Sequence, residues 1–389
     1  MTKIDRRQFI AVAGGSLLLP AELRAQSAQP LTANVAIEKG RIWIAATLAG
    51  AGPYYFVIDT GATVSYLRPA IAKELKLKVV GSRNVRGIGA KTTASEIVMA
   101  RDVNFGGHLL QRQVAFSTYD FGRGLGDAAG LLAAGILTGA DSDLDMDAGQ
   151  WRIWPDGRPD RTGFEKLDSR IRLSGNHTGS DYIYLTVRID GRPFKLLADT
   201  GAPRAILLFP EAAKSSGLWN DDRPYAPFRN SGFGGAAARL SRLVRVGSVE
   251  AGPLKLDRPL ITLMDPRQDK DLNADGVIGL EALQMLNLST DVGGNALWVQ
   301  RSRRPAPTFG YGHSGLWIDA DKGSVVVAAV GTASPAAEAG IAIGDRLVGY
   351  ESFAAALRAV NGPAGKPVTV RIERMGQTSE KTFTLREYL

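Results

Sequence analysis

The 389-residue sequence contains no cysteine. Thiolate nucleophiles, thiolate metal sites and disulfides are excluded together, and the core must carry the stability unaided. Histidine is nearly absent: His108, His177 and His313 are not spaced as a metal cluster. The apolar run Ala11–Leu19 is too short to cross a bilayer. Long helical patterns with one polar face are few, and the 45 glycines favour a strand-rich fold. The net charge is +8, but Lys and Arg are scattered and no run interleaves them with aromatics. That argues against a nucleic-acid partner. The tightest basic cluster, Arg301, Arg303 and Arg304, sits beside prolines and reads as a solvated linker.

The length predicts two or three domains, since one core stops growing at about 250–300 residues. At the N-terminus, Asp5-Arg6-Arg7-Gln8-Phe9-Ile10 precedes the apolar run, followed by Pro20 and small residues around 25–28. This pattern resembles a bacterial twin-arginine export signal over residues 1–27, which implies a periplasmic destination. A disordered tail with a chance arginine pair is the plainer alternative.

An internal repeat organises the residues beyond this segment. "RIWIAATLAGAGPYYFVIDTGA" (41–62) matches "DYIYLTVRIDGRPFKLLADTGA" (181–202), with Asp59 and Asp199 140 residues apart. Each is an alternating strand, a Gly-bearing turn and an apolar strand ending on Asp-Thr-Gly-Ala, which is a hairpin signal. Downstream come glycine-rich tips: Gly87-Ile88-Gly89 in copy one, Gly232-Phe233-Gly234 in copy two. Such tips suit hairpins with unusual backbone angles. A small-residue apolar strand comes next, "AGLLA" (129–133) and "DGVIG" (275–279). Each copy closes with an Asp and a Trp-bearing strand, 144–154 and 288–299. Two lobes are predicted, 32–158 and 165–303. They are joined by "WPDGRPDRTG" (154–163), and "RSRRPAPTFGYG" (301–312) forms an exit linker.

A lone Asp opening a tight turn can simply bond its own backbone. Two such turns in pseudo-symmetric lobes can instead bring Asp59 and Asp199 together. Carboxylates a few ångströms apart share one proton, so the pair holds an acid and a base at once. One can deprotonate a water while the other polarises a carbonyl; no metal or cofactor is needed. Gly61 and Gly201 allow close approach and can aim N–H groups at the carboxylates. Thr60 and Thr200 offer hydroxyls to tie the loops together. Ala62 and Ala202 stand where a hydroxyl residue would supply one more donor, so the pair is expected to titrate in a mildly acidic to near-neutral range.

These paired motifs resemble the signature of retropepsin-like aspartic proteases, here with both halves fused as in a bacterial two-lobed version. The likeness covers residues 32–303. It implies a mainly β fold with two homologous lobes and Asp59 and Asp199 as the catalytic pair. It also implies flaps carrying Gly87, Ile88, Gly89, Gly232, Phe233 and Gly234, protein or peptide substrates, and a monomer. Ala133 departs from the pattern, because its counterpart is Gly279. A non-catalytic peptide-binding protein on the same scaffold is the alternative function.

"DLNADGVIGLEA" (271–282) reads in part as an EF-hand loop, Asp271-x-Asn273-x-Asp275-Gly276. Its twelfth position is Ala282, with Glu281 one place early, and the repeat already explains residues 276–279. "DSDLDMD" (141–147) also alternates acids but has no loop glycine.

Residues 309–389 change character. Ser334-Pro335 opens a short helix that Gly340 closes, Gly344-Asp345 turns into a strand, 351–360 form a helix and 368–385 a hairpin. This resembles a small α+β PDZ domain. By that resemblance Gly315, Leu316, Trp317 and Ile318 line a groove for an extended peptide or a protein's C-terminus. A packing or tethering domain is the plainer reading.

Overall fold

Alternating burial marks the first hairpin of the first half, whereas the matching strand Tyr182–Ile189 is buried on both faces at its start. Along strand Arg41–Leu48 every second residue, Ile42, Ile44, Ala46 and Leu48, is buried. That is the period-two pattern of a sheet with one face on the core. The computed structural model describes residues 29–86, 92–122, 124–172, 179–232, 235–268 and 273–389. Arg41–Leu48 returns through Ala49-Gly50 into Ala51–Ile58, and Tyr182–Ile189 returns through Asp190-Gly191 into Arg192–Asp199. All four loop residues have left-handed φ, as two-residue hairpins require.

The hairpins differ in one respect that the ungapped sequence match concealed. In the second, pairing steps evenly from Val187↔Phe194 to Ile189↔Arg192. In the first, Ala46 pairs with Tyr54 but Leu48 with Ala51, so strand Ala51–Ile58 carries one additional, bulged residue.

Each lobe then repeats one topology. Strand Ala51–Ile58 runs parallel to Gly130–Leu132, which is antiparallel to Tyr66–Leu67. Arg192–Asp199 runs parallel to Gly276–Gly279, which is antiparallel to Ile206–Leu208. A Cβ on Gly130 would lie 1.9 Å from the Tyr66 carbonyl, and one on Gly276 2.1 Å from that of Leu207. The crossing segments need glycine there. The lobe sheets contain eight and ten strands.

A six-stranded sheet takes three strands from each half, and the halves meet where Asp141–Asp145 pairs antiparallel with Leu286–Asp291. Trp151 is buried there, its Nε1 donating to the Ile136 carbonyl at 3.0 Å. The connection at 154–163 is pinned to this sheet. Arg161 donates to Asp141 (2.6 Å) and to the Thr290 carbonyl (2.8 Å), and Arg158 donates to Asp143 (3.1 Å). One apolar core runs from Ala33 to Val299 through both lobes.

A separate five-stranded sheet forms the C-terminal unit: Leu316–Asp321, Ser324–Val330, Arg346–Val348, Pro367–Arg374 and Gln377–Thr384, adjacent in sequence order. It has its own core, including Ile318, Val327, Val370 and Ile372. Helix Pro335–Glu338 is capped by Ser334 and followed by Gly340 at φ +73°. Helix Phe353–Val360, capped by Ser352, buries Ala356 and Val360 in that core. Among the described residues no helix is long and apolar enough to cross a membrane.

Candidate active site

The strand that brings each Asp forward ends at the same place in its lobe. Asp59 N–H donates to the Leu132 carbonyl at 2.8 Å, and Asp199 pairs in register with Gly279. The loops beyond meet across the pseudo-two-fold axis. Thr60 Oγ1 donates to the Ala198 carbonyl (2.7 Å) and accepts from Thr200 N–H (3.0 Å). Reciprocally, Thr200 Oγ1 donates to the Ile58 carbonyl (2.8 Å) and accepts from Thr60 N–H (3.1 Å). Both threonines are fully buried, so these four bonds are sheltered from water.

The aspartates face each other over the two glycines. A Cβ built on Gly61 would sit 2.4 Å from Asp199 Cγ, and one on Gly201 2.4 Å from Asp59 Oδ1. Each lobe's glycine makes room for the other lobe's carboxylate. The carboxyl groups are hydrogen-bonded to each other. Asp59 also accepts from Gly61 N–H (3.0 Å), and Asp199 from Gly201 N–H (2.9 Å) and Ala202 N–H (3.0 Å).

Burial pushes Asp59 well above the usual carboxylate range, and the charge of Asp199 and the hydrogen bond to it push the same way. The Gly61 amide and the Arg41 guanidinium pull back. A bonded carboxyl pair in that setting shares a proton and titrates as a unit. Burial also raises Tyr66 to about 12, and it raises Tyr182 further; both phenols feel the charge of Asp59, and Tyr182 that of Asp199 too.

Each loop packs on an apolar cluster of its own lobe. On the first lobe Val57, Tyr66, Ala128 and Leu131 pack with Trp43 and Ala62. On the second Tyr182, Tyr184, Leu197, Leu207 and Val277 pack with Ala202.

Two stretches, 44–137 and 185–282, match the family model described as aspartyl protease. The protein has two repeated aspartic-protease-like lobes. Among solved structures, basic 7S globulin from soybean superposes with a TM-score of 0.40 at 10% identity, over 70% of this chain and 95% of that chain. No curated protein matches.

Within these aspartic-protease-like lobes the supports under the two loops differ. Gly279 N–H donates to the Ala205 carbonyl, and a Cβ on Gly279 would lie 2.0 Å from the Arg204 carbonyl. Ala133 does carry a Cβ, and its N–H donates instead to the Ser65 hydroxyl at 3.0 Å. A side-chain acceptor thus replaces a backbone one where the methyl needs space. On the second lobe Glu281 accepts from Ala205 N–H (3.0 Å). Asp275, another member of the EF-hand-like run, accepts from Lys195 N–H (2.7 Å). Asp271 lies outside the described residues. Among those described, no three His, Cys, Asp or Glu side chains are grouped to hold a metal ion.

Where the sequence predicts the first flap, strands Lys78–Arg86 and Thr92–Phe105 close with Arg86 opposite Thr92; Gly87, Ile88 and Gly89 lie outside the described residues. The second is a short exposed ladder, Ser231–Gly232 against Gly235–Ala236. Gly232 is in it, and Phe233 and Gly234 lie outside the described residues.

At the C-terminal unit, Gly315 has φ +75° and abuts Ser334. Leu316 packs at the edge of the unit's core and Ile318 within it. Trp317 turns to the second lobe: Arg229 lies over its ring at 5.7 Å and pairs with Asp319 at 2.6 Å. Tyr225 donates to the Val330 carbonyl (2.9 Å) and accepts, through its own carbonyl, from Tyr388 (3.2 Å). Sequence reasoning missed Arg41, Ser65, Tyr66, Tyr182 and Glu281. All are ordinary strand, loop or helix residues in the one-dimensional pattern, and only long-range pairing brings them to the site.

Proposed function

We propose that the protein is an aspartic endopeptidase of the retropepsin-like kind in which Asp59 and Asp199 activate water against a peptide carbonyl. The observation that carries this reading is the hydrogen-bonded carboxyl pair framed by Gly61 and Gly201, each opposite the other lobe's Asp. The ionised member takes a proton from a bridging water as its oxygen attacks the carbonyl carbon. The protonated member gives its proton to the carbonyl oxygen, leaving a gem-diol. Collapse breaks the C–N bond as the amine takes a proton from the first carboxyl, and the gem-diol returns one to the second. The N–H donors on both carboxylates hold the charge in place throughout.

In this reading the C-terminal unit is a PDZ domain that positions protein substrates or governs access. Its support is the outer strand Leu316–Asp321 beside helix Phe353–Val360, the pair between which a peptide strand would add, although Arg229 of the second lobe already holds Trp317 and Asp319. The N-terminal signal would send the protein to the periplasm, where exported proteins are its substrates.

The test is cleavage of extended peptides by wild type, Asp59→Asn and Asp199→Asn. Each variant is isosteric and should lower kcat by about 10²–10⁴-fold, the scale of lost general acid–base catalysis. Turnover surviving either change would sink the dyad.

A further inference from the structure

The two hairpins give the aspartates different neighbours. Trp43 pairs with Val57 and Tyr184 with Leu197. Carrying each register on by two residues sets Arg41 across from Asp59 and Tyr182 across from Asp199. Directly opposed residues share a sheet face with Cβ atoms roughly 4.5–5.5 Å apart. The bulge before Tyr54 makes Arg41 the counterpart of Tyr182, whereas the ungapped sequence match sets it beside Asp181.

Tyr182 is a buried neutral phenol in the apolar cluster under the second loop. Arg41 is a partly buried cation. Among the described residues its hydrogen bonding amounts to one bond, from Nη2 to the Gly124 carbonyl at 3.0 Å, and no carboxylate lies within ion-pair distance of it. Burial opposes its charge and Asp59 favours it. A guanidinium presents five N–H donors in a planar fork that fits a carboxylate. Partly buried already, and with most of its donors free of protein acceptors, it can take up a carboxylate at little further desolvation cost. The dyad meets that charge only at a distance: Asp59 favours it without an ion pair, and its carboxylate accepts from the Gly61 amide.

We propose that Arg41 is a specificity-determining residue that receives a carboxylate of the bound peptide on the first-lobe side of the scissile bond. The phenol at the equivalent second-lobe position offers no such charge, so the pseudo-symmetric cleft accepts an acidic peptide in one direction. This rests on reading the cleft as a peptide-binding site. The carboxylate is either an acidic side chain or the free C-terminus of a short peptide.

The experiment uses the full-length protein with Asp199→Asn, with and without Arg41→Gln, Arg41→Lys and Arg41→Glu. The probes are end-blocked apolar peptides with one Glu walked through the positions flanking the central bond. Matched Gln and Lys sets accompany them, together with the Gln set bearing a free C-terminal carboxylate. Fluorescence anisotropy should show the best Glu or free-carboxylate peptide binding roughly tenfold to hundredfold tighter than its blocked Gln match, the scale of a charge-assisted hydrogen bond. Arg41→Gln should erase that ratio, Arg41→Lys should keep part of it, and Arg41→Glu should turn the preference to the Lys set. Which acidic set responds identifies the carboxylate's source. A ratio near one, or one that Arg41→Gln leaves intact, overturns the proposal. Wild-type turnover with no acidic preference defeats the role of Arg41 alone. Acidic preference in binding without wild-type turnover defeats the endopeptidase reading alone.

Discussion

Gly201→Ala adds one methyl group, no charge and no polar atom, yet the added Cβ would stand 2.4 Å from Asp59 Oδ1, 2.5 Å from Cγ and 2.8 Å from Oδ2. Ordinary contact begins near 3.4 Å. Asp59 or the Gly201 loop must therefore move by about 1 Å, and the four threonine bonds hold both loops against that movement. Overpacking of this kind costs about 1–3 kcal/mol. Gly201 does not have a left-handed φ, so alanine recovers about 0.4–1 kcal/mol by restricting the unfolded chain. The net loss of stability should be about 1–2 kcal/mol. The effect on chemistry should be larger, because a misplacement of about 1 Å in a reacting group costs on the order of 10²-fold in rate. Urea denaturation and peptide turnover, measured side by side, separate the two. Gly293→Ala is the control, since a Cβ there meets nothing within 4 Å. Turnover by Gly201→Ala equal to that control would refute the opposed placement of the loops.

Thr200→Ala removes the donor to the Ile58 carbonyl and the acceptor of Thr60 N–H. It should cost about 1–3 kcal/mol in denaturant unfolding, and Thr200→Ser should restore most of it. Asp59 has its folded pKa raised, so the stability it contributes is present below its unfolded pKa and is lost as pH rises through the folded value. Asp59→Asn should thus unfold at nearly the wild-type urea midpoint near pH 4 and at a higher midpoint near pH 7; a pH-independent difference would contradict the buried dyad. Asp345 in the C-terminal unit behaves oppositely. Its hydrogen bond from Arg374 holds it below the usual range, so its contribution is lost as pH falls. Arg374→Met leaves the buried Asp345 without its cation and should lower the melting temperature at pH 7, by less than for a fully buried pair because Arg374 is partly exposed. The difference from wild type should shrink towards acid pH in thermal melts.

The duplication was legible because its signals are local. Asp-Thr-Gly-Ala, the alternating strand before it and the small-residue strand after it can each be read within a few residues. The loop-tying threonines came from the same reading, since a second copy implies a second loop facing the first. The supporting residues were not legible. Ser65 matters because Ala133 has a methyl group where Gly279 has none, and Glu281 because a helix start lies beside Ala205. Neither relation has a sequence signature. Trp317 looked like a groove residue, and the structure turns it to Arg229, 88 positions earlier in the sequence.

By itself the sequence determined that two like units each end a buried strand on an aspartate. Hydrophobic period and turn chemistry act between neighbours along the backbone, so one dimension records them. Tertiary structure decided which residues stand beside those aspartates. One bulged residue in strand Ala51–Ile58 resets the pairing of a whole hairpin, and with it Arg41 rather than its neighbour faces Asp59. Register is a sum over two strands, and close approach is a relation between two lobes. Both are fixed only when the protein has folded and the unfavourable burial of each charge has been set against its partners.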